Sequence, residues 1–179
     1  SGSGKLNIIL WADKDAKGGN GAGGFIDLAA GVELKSNGGD IVLAGGSDSN
    51  GDGIPDGYAW NAKTTEYPGI SIGPPYGTGS SVNILSNGGN IILRGGFNDP
   101  SGTCASTYSC NAGYAVGTYN SSSLRGVSSV ASTLNAGGGN IAIYGYGYHN
   151  NTVSGDGIKG IASVIQTSST GTIDLYGVA

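Results

Sequence analysis

The chain has 179 residues, 37 of them glycine, with only 11% charged residues, no methionine and a net charge of −4. This length is sufficient for one domain with a buried core. The charge, with only two arginines, argues against a nucleic-acid partner, and no apolar run approaches the ~18 residues of a membrane span, so we expect neither nucleic-acid binding nor membrane insertion.

Short β-branched strands recur along the chain, whereas apolar residues at helical spacing are nearly missing. The most regular strand has the form I-x-L or I-x-I and follows a glycine at Gly39, Gly89, Gly139 and Gly171, with Gly4 as a less regular first member. Alternation along an extended strand points two side chains of each to one face. The predicted inward pairs are Ile41/Leu43, Ile91/Leu93, Ile141/Ile143 and Ile173/Leu175, joined at the start by either Leu6/Ile8 or Ile8/Leu10.

Two further strands are predicted before each of these glycines. The earlier set is GFIDL (24–28), GISI (69–72), GVSSV (126–130) and GIASV (160–164), and the later set is VEL (32–34), VNIL (82–85), STL (132–134) and VIQT (164–167). Three short strands per repeat, with polar segments of unequal length between them, are typical of a parallel β-helix. Glycine pairs would form its corners with positive φ.

We therefore predict an all-β fold, a parallel β-helix or solenoid of about four to five coils with long loop excursions. A coil is one passage of the chain through three strands, and an excursion is a long polar segment that leaves it. Stacking at ~4.8 Å would align like residues of successive coils. The competing all-β interpretation, an antiparallel sandwich or barrel, does not require the same strand to return in the same context.

Several segments resemble the filamentous-haemagglutinin-type exoproteins of bacterial two-partner secretion. They are NIILWADKDAKGGNGAGGFIDL (7–28), the three turn-strands that begin NGGD, NGGN and GGGN, DGYAW (56–60) and TGTIDLYGV (170–178). The resemblance spans nearly the whole chain and implies a right-handed parallel β-helix within a long, secreted and often adhesive fibrous protein. The long excursions depart from the more regular repeats of that family.

On this basis we expect residues 1–179 to form a single solenoid segment of a longer repeat array or filament, with residues 1–4 as a linker or processed end. Its expected function is that of a structural or adhesive segment of a secreted bacterial fibre, located outside the cell or on the cell surface. The expected partners are further copies or neighbouring repeats, stacked end to end, and host or cell-surface glycans. The alternative is a carbohydrate-binding or polysaccharide-degrading domain on the same scaffold. An ice-binding solenoid is disfavoured because the threonines are scattered.

The segment DSNGDGIPD (48–56) has the oxygen spacing of a calcium-binding loop. Side-chain oxygens stand at positions 1, 3, 5 and 9, the carbonyl of Ile54 at position 7, and Gly53 at the sharp turn of position 6; the four oxygen donors are Asp48, Asn50, Asp52 and Asp56. The bidentate glutamate of position 12 is replaced by Ala59, so Glu66 would have to substitute. We predict a structural Ca²⁺ here, against the alternative of a solvated acidic turn. The pattern around Asp13, Asp15 and Asn20 is a weaker version.

Three tyrosines, Tyr144, Tyr146 and Tyr148, fall on one face of an extended strand. They could stack on sugar rings or on a neighbouring filament, although an outward aromatic row that covers the adjacent coil is the favoured interpretation. Cys104 and Cys110 are too far apart for a CxxC redox pair; in a secreted chain we expect a disulfide between them, and otherwise two free thiols.

We expect no enzymatic activity. His149 is the only histidine, and nothing in its spacing places a nucleophile beside it. Polysaccharide-cleaving β-helices need acidic groups clustered on one face, with Arg or Lys where the chemistry requires it. Here Asp40 is followed 50 and 100 residues later by Asn90 and Asn140, which predicts a polar corner ladder and not a pair of carboxylates. Arg94 is expected to project outward beside its strand.

Overall fold

The computed structural model describes residues 4–12, 14, 24–48, 50–55, 57–59, 68–74, 79–93, 115–116, 125–147, 155–168 and 170–178. Within these ranges the chain is all-β, with fourteen strands and no helix. The strands lie in three sheets, and every pairing between strands is parallel. The all-β prediction is confirmed.

Each sheet collects one strand from every repeat of the sequence. Sheet A has the order β1 (Ile8–Ala12), β4 (Ile41–Gly45), β7 (Ile91–Leu93), β11 (Ile141–Tyr146), β14 (Ile173–Val178), with β8 (Ala115–Val116) also paired to β11. Sheet B has the order β2 (Ile26–Leu28), β5 (Ile70–Ile72), β9 (Val127–Val130), β12 (Ile158–Ile161). Sheet C has the order β3 (Glu33–Lys35), β6 (Val82–Leu85), β10 (Ser132–Asn135), β13 (Val164–Gln166).

After β1, the main strands follow the order sheet B, sheet C, sheet A four times, with the two-residue β8 as an additional strand. This recurrence of parallel stacked strands is consistent with a β-helix or solenoid. The passage from sheet C to sheet A is short in every repeat, at residues 36–40, 86–90, 136–140 and 167–172. The longest segments between strands all connect sheet A to sheet B, so the predicted excursions all fall between these two sheets in the repeat.

The register of sheet A places like residues above one another in columns. Ile41 is opposite Ile91, Ile91 is opposite Ile141, and Ile8 and Ile173 extend the same column at its two ends. The next inward column has the same regularity, from Leu10 and Leu43 through Leu93 and Ile143 to Leu175. The predicted pairs are therefore in register, and the first member is Ile8/Leu10 and not Leu6/Ile8.

The core is the space between the three sheets. Its largest fully buried side chains are Ile41, Leu43, Ile70, Ile72, Val82, Ile84, Ile91, Leu93, Val127, Leu134, Ile141 and Ile143. Each additional coil buries the inward face of the coil before it, which a single coil cannot do for itself. The last pair, Ile173 and Leu175, has the predicted register but remains exposed.

Two details of the predicted repeat are wrong. The residue that stands two positions before Ile8, where the other repeats have their glycine, is Leu6 and not Gly4. The strand predicted at 160–164 lies at Ile158–Ile161, because Ala162 has a positive φ of 49° and turns the chain into β13. Ala131 does the same in the preceding coil, with a φ of 45°.

The two positions of each glycine pair require glycine for different structural reasons. The first glycine of each pair has positive φ, 95° at Gly38 and 111° at Gly88, as expected for a corner. At the second position the reason is space: a Cβ on Gly89 would lie 1.9 Å from the carbonyl oxygen of Gly39 in the coil before. The same contact would be 2.0 Å between Gly139 and Gly89. Positive φ thus accounts for only half of the pair.

Candidate functional site

A ladder of polar side chains runs along the corner between sheets C and A. Each side chain accepts a hydrogen bond from a backbone N–H of the following coil: Asp40 N–H donates to Asn7 Oδ1 at 2.9 Å, Asn90 N–H to Asp40 Oδ1 at 2.7 Å, and Asn140 N–H to Asn90 Oδ1 at 3.0 Å. Thr172 N–H donates to Asn140 Oδ1 at 2.9 Å. The predicted polar corner ladder is therefore confirmed, and it extends one coil further at each end than the sequence indicated.

The ladder's side chains are engaged in structural contacts. The Asn90 side-chain amide also donates to Asp40 Oδ1 at 3.1 Å, so the carboxylate accepts two hydrogen bonds from one residue.

Replacing Asn90 by alanine removes the amide donor to Asp40 and the acceptor for Asn140 N–H. We expect a loss of about 1–2 kcal/mol in the free energy of unfolding, measured by urea denaturation followed by circular dichroism. Asn90→Asp is the companion variant: it keeps the acceptor but places a second carboxylate beside Asp40. Equal stability of all three proteins would contradict a stabilising ladder.

Buried serines form a second ladder that sequence reasoning missed. The hydroxyl of Ser36 donates to the carbonyl of Ser86 at 3.2 Å, and that of Ser86 donates to the carbonyl of Ala136 at 3.2 Å. In the last coil Thr167 Oγ1 donates to the carbonyl of Gly139 at 2.6 Å. The 50-residue spacing of Ser36 and Ser86 was a usable signal. These hydroxyls satisfy buried carbonyl groups, which is a structural role.

A second group of hydroxyl side chains lies at the corner between sheets B and C. Ser129, Ser132 and Ser163 are in mutual hydrogen-bond contact, and Ser163 Oγ also donates to the carbonyl of Ser129 at 2.9 Å. The contacts of these three serines are with one another and with backbone carbonyls, so the cluster stabilises a corner where Ala131 and Ala162 have positive φ.

The predicted calcium loop is folded around the carboxylate of Asp48. Its Oδ1 accepts from the N–H groups of Gly51 at 2.6 Å and Asp52 at 3.1 Å, and its Oδ2 accepts from Gly53 N–H at 2.8 Å. Asp52 Oδ1 accepts from Ile54 N–H at 2.8 Å. Gly53 has a φ of 82°, which fits the sharp turn that the sequence predicts at the sixth position.

Two of the four side chains predicted to supply oxygen ligands, those of Asn50 and Asp52, are in direct contact. Asn50 Nδ2 donates to Asp52 Oδ2 at 3.1 Å, and Asn50 Oδ1 accepts from Asp52 N–H at 2.9 Å. Among the described residues, no group of three or more His, Cys, Asp or Glu side chains is close enough to hold a metal ion. Asp56, the ninth position, lies outside the described residues, so calcium binding stays a prediction.

Calcium titration tests this prediction. We expect the protein to bind Ca²⁺ with a Kd of about 10⁻⁴–10⁻³ M, the range of extracellular modules, and to gain thermal stability with it. Isothermal titration calorimetry would show the heat, and Asp48→Asn would reduce it because it removes the carboxylate around which the loop is folded. Asp27→Asn, on the exposed face of β2, is the control. No heat and no change in Tm at millimolar Ca²⁺ would contradict the prediction.

The outer face of β11 carries two of the three predicted tyrosines. Its residues alternate between buried and half-buried, with Tyr144 and Tyr146 on the outward side. Tyr144 Oη donates to Asp174 Oδ2 at 2.6 Å, and its ring lies 6.2 Å from the ring of Tyr176, tilted by 41°. Tyr144 and Tyr176 are paired in register across β11 and β14. Tyr144 therefore packs on the neighbouring coil, while the use of the tyrosines as a ligand surface stays a prediction.

The remaining residues of interest lie outside the described part of the chain, and their predictions stay predictions. They are Asp13, Asp15, Asn20, Asp56, Glu66, Arg94, Cys104, Cys110, Tyr148 and His149. Within that part, no helix is long and apolar enough to cross a membrane.

Comparison of the chain with family models, with curated proteins and with solved structures finds no match. The functional proposal therefore rests on the repeat geometry and on the sequence resemblance given above.

Proposed function

We propose that the chain is a segment of a parallel, right-handed β-solenoid of about four to five coils that acts as a structural and adhesive part of a secreted bacterial fibre. The observation that carries the proposal is the continuity of the columns. Ile8, Ile41, Ile91, Ile141 and Ile173 occupy one column through five parallel strands, although the loops between them differ greatly in length. A fold built in this way extends by repetition, which suits a stiff rod.

The outer features fit a mechanical role better than a catalytic one. The hydrogen bonds of Asp40, Asn90 and Asn140 connect successive coils, and among these three ladder residues only Asp40 has a carboxylate. The proposal therefore includes no catalytic step. The predicted excursions all fall between sheets A and B in the repeat, and they would present a variable contact surface on one side of a constant rod.

Immunogold labelling of intact cells with an antibody against this chain would test the proposal. We expect label on fibres that extend from the cell surface and protein in the culture medium. Adhesion of cells to a host or abiotic surface should fall when the antibody is added. Protein confined to the cytosolic fraction, with unlabelled surfaces, would overturn the proposal.

A carbohydrate-binding role is the second candidate, and the outward tyrosines favour it. Tyr144, Tyr146 and Tyr176 lie on adjacent strands of one face, a spacing that could receive sugar rings. A glycan array distinguishes the two functions. Specific micromolar binding that is abolished by Tyr146→Ala and retained by Phe25→Ala, an exposed aromatic residue before β2, would favour this candidate over a purely mechanical role.

A further inference from the structure

At the β12–β14 end of the sheets, apolar side chains are exposed whose equivalents in the middle coils are fully buried. Ile173 is 43% exposed and Leu175 is 50% exposed, whereas Ile141 and Ile143, one coil earlier in the same columns, are 0% and 1% exposed. In sheet B, Ile161 is 44% exposed. Among the described residues, no strand pairs with the outer edge of β12, β13 or β14. Each of these strands is therefore the edge strand of its sheet at the same end. Such an edge pairs readily with another strand.

The opposite end of sheet A has the residues that would continue these columns. The register that runs through β1, β4, β7, β11 and β14 would place Ile8 of a second copy on Ile173, and Leu10 on Leu175. On the outer face, Trp11 would lie against Tyr176, in the same relation that Tyr144 has to Tyr176 within the chain.

The other two sheets are compatible with the same placement. In sheet C the columns lead from Leu34 through Ile84 and Leu134 to Ile165, so that Leu34 of the second copy would cover Ile165. In sheet B they would place Ile26 on Ile158. All four apolar contacts follow from one registration, with no shift between the sheets.

Charge supports the same registration. The column of Asp27 continues through Ser71 and Ser128 to Lys159, so the carboxylate at one end would face the ammonium group at the other. Lys159 Nζ already lies 3.8 Å from Asp156 Oδ2, with its side chain 34% exposed. In the three sheets, no two strand residues of like charge would be brought opposite each other.

A second copy in this register would also extend the polar ladder at the corner between sheets C and A. Within the chain, each ladder side chain accepts from the backbone N–H of the following coil. Thr172 Oγ1 donates to Asn140 Oδ1 at 3.1 Å and keeps its lone pairs as acceptors. The N–H of Asn7 in a second copy would occupy the position of the next donor.

We propose that the β12–β14 end of one copy binds the β1–β3 end of a second copy, head to tail, in the register that continues the columns. This inference deepens the proposed function and rests on it, because it supplies the contact by which short segments form a fibre. The two surfaces are different, and the contact continues the stacking of the coils in one direction, so repetition gives an open filament and not a ring.

Sedimentation velocity and electron microscopy across a concentration series test the inference on the chain itself. We expect an average mass that rises with concentration, and filaments that grow without a fixed size. Leu175→Asp places a charge in the contact, at a position that is half-exposed in the single chain. It should raise the concentration needed for assembly at least about tenfold while the circular dichroism spectrum stays unchanged.

Charge exchange tests the register. Lys159→Asp and Asp27→Lys each place like charges opposite each other, so each variant alone should assemble at least about tenfold less readily than the unmodified chain. An equimolar mixture of the two variants should assemble again, because every carboxylate then faces an ammonium group. The double variant should assemble alone for the same reason, which also controls for misfolding of either single variant.

The inference is overturned by a single monomeric species at every concentration, or by assembly that neither Leu175→Asp nor the charge exchange alters. Either result leaves the proposed function standing if immunogold label still decorates surface fibres, because neighbouring repeats could then supply the contact. Protein absent from the cell surface would overturn the proposed function even if the purified chain assembled.

Discussion

Replacing Gly89 by alanine is expected to lower the free energy of unfolding by more than about 3 kcal/mol. The added Cβ would lie 1.9 Å from the carbonyl oxygen and 2.4 Å from the carbonyl carbon of Gly39. Both are backbone atoms of a stacked coil, held nearby by the hydrogen bond from Ile41 N–H to the carbonyl of Asn90 at 2.8 Å. The coils would have to separate locally to admit the methyl group. Urea denaturation followed by circular dichroism measures the loss.

Gly160→Ala is the matched control for this prediction. Gly160 lies in β12, where a Cβ would meet nothing within 4 Å, and its φ is not in the positive region. We expect its stability to stay within about 0.5 kcal/mol of the unmodified protein. If Gly89→Ala were as stable as Gly160→Ala, the close stacking of the glycine corners would be wrong.

Truncating an inward side chain is expected to have an effect that depends on its place in the column. Ile91→Ala should cost about 3–4 kcal/mol, because Ile91 is fully buried between the coils of Ile41 and Ile141. Ile173→Ala, in the same column and with the same chemistry, should cost only about 1 kcal/mol because nearly half of the side chain is exposed.

Thermal and urea denaturation at low protein concentration would give both values for the single chain. Equal costs at Ile91 and Ile173 would contradict the assignment of one to the middle and the other to the end of the column. At concentrations where copies assemble, the cost of Ile173→Ala should rise toward that of Ile91→Ala, since a second copy would bury the position.

Much of the fold could be predicted because the repeat leaves a direct mark on the sequence. Ile91 and Leu93 recur 50 residues before and after as Ile41/Leu43 and Ile141/Ile143, and parallel stacking is what keeps such a spacing constant. The polar ladder was predictable for the same reason, since Asp40, Asn90 and Asn140 share that spacing.

Predictions about the repeat were wrong where the backbone conformation does not follow from the pattern of residues in the sequence. Ile161 and Val164 look like one strand, but Ala162 adopts positive φ between them, and alanine carries no sequence signal for this conformation. The requirement for glycine at Gly39, Gly89 and Gly139 was attributed to φ, whereas it comes from the approach of a carbonyl in another coil. A contact between two residues 50 positions apart cannot be predicted from the residues that flank each glycine.

The site was less predictable than the fold. The spacing of the loop at Asp48 indicated the sharp turn at Gly53, and the folded loop has it, but a metal site depends on how several oxygens converge. The outward position of Tyr144 followed from strand alternation. Its contacts with Asp174 and Tyr176 depend on the registration of two strands about 30 residues apart.

Nuclear Overhauser measurements on the isotope-labelled chain test the parallel stacked register most directly. The structure predicts cross-strand contacts at a constant sequence separation, 50 residues from Ile41 to Ile91 and again from Ile91 to Ile141, then 32 residues from Ile141 to Ile173. The neighbouring residues of each strand should show the same separations. Contacts between strands whose residue numbers instead add up to a constant sum would mean antiparallel pairing, and would contradict the stacked coils on which the proposed fibre rests.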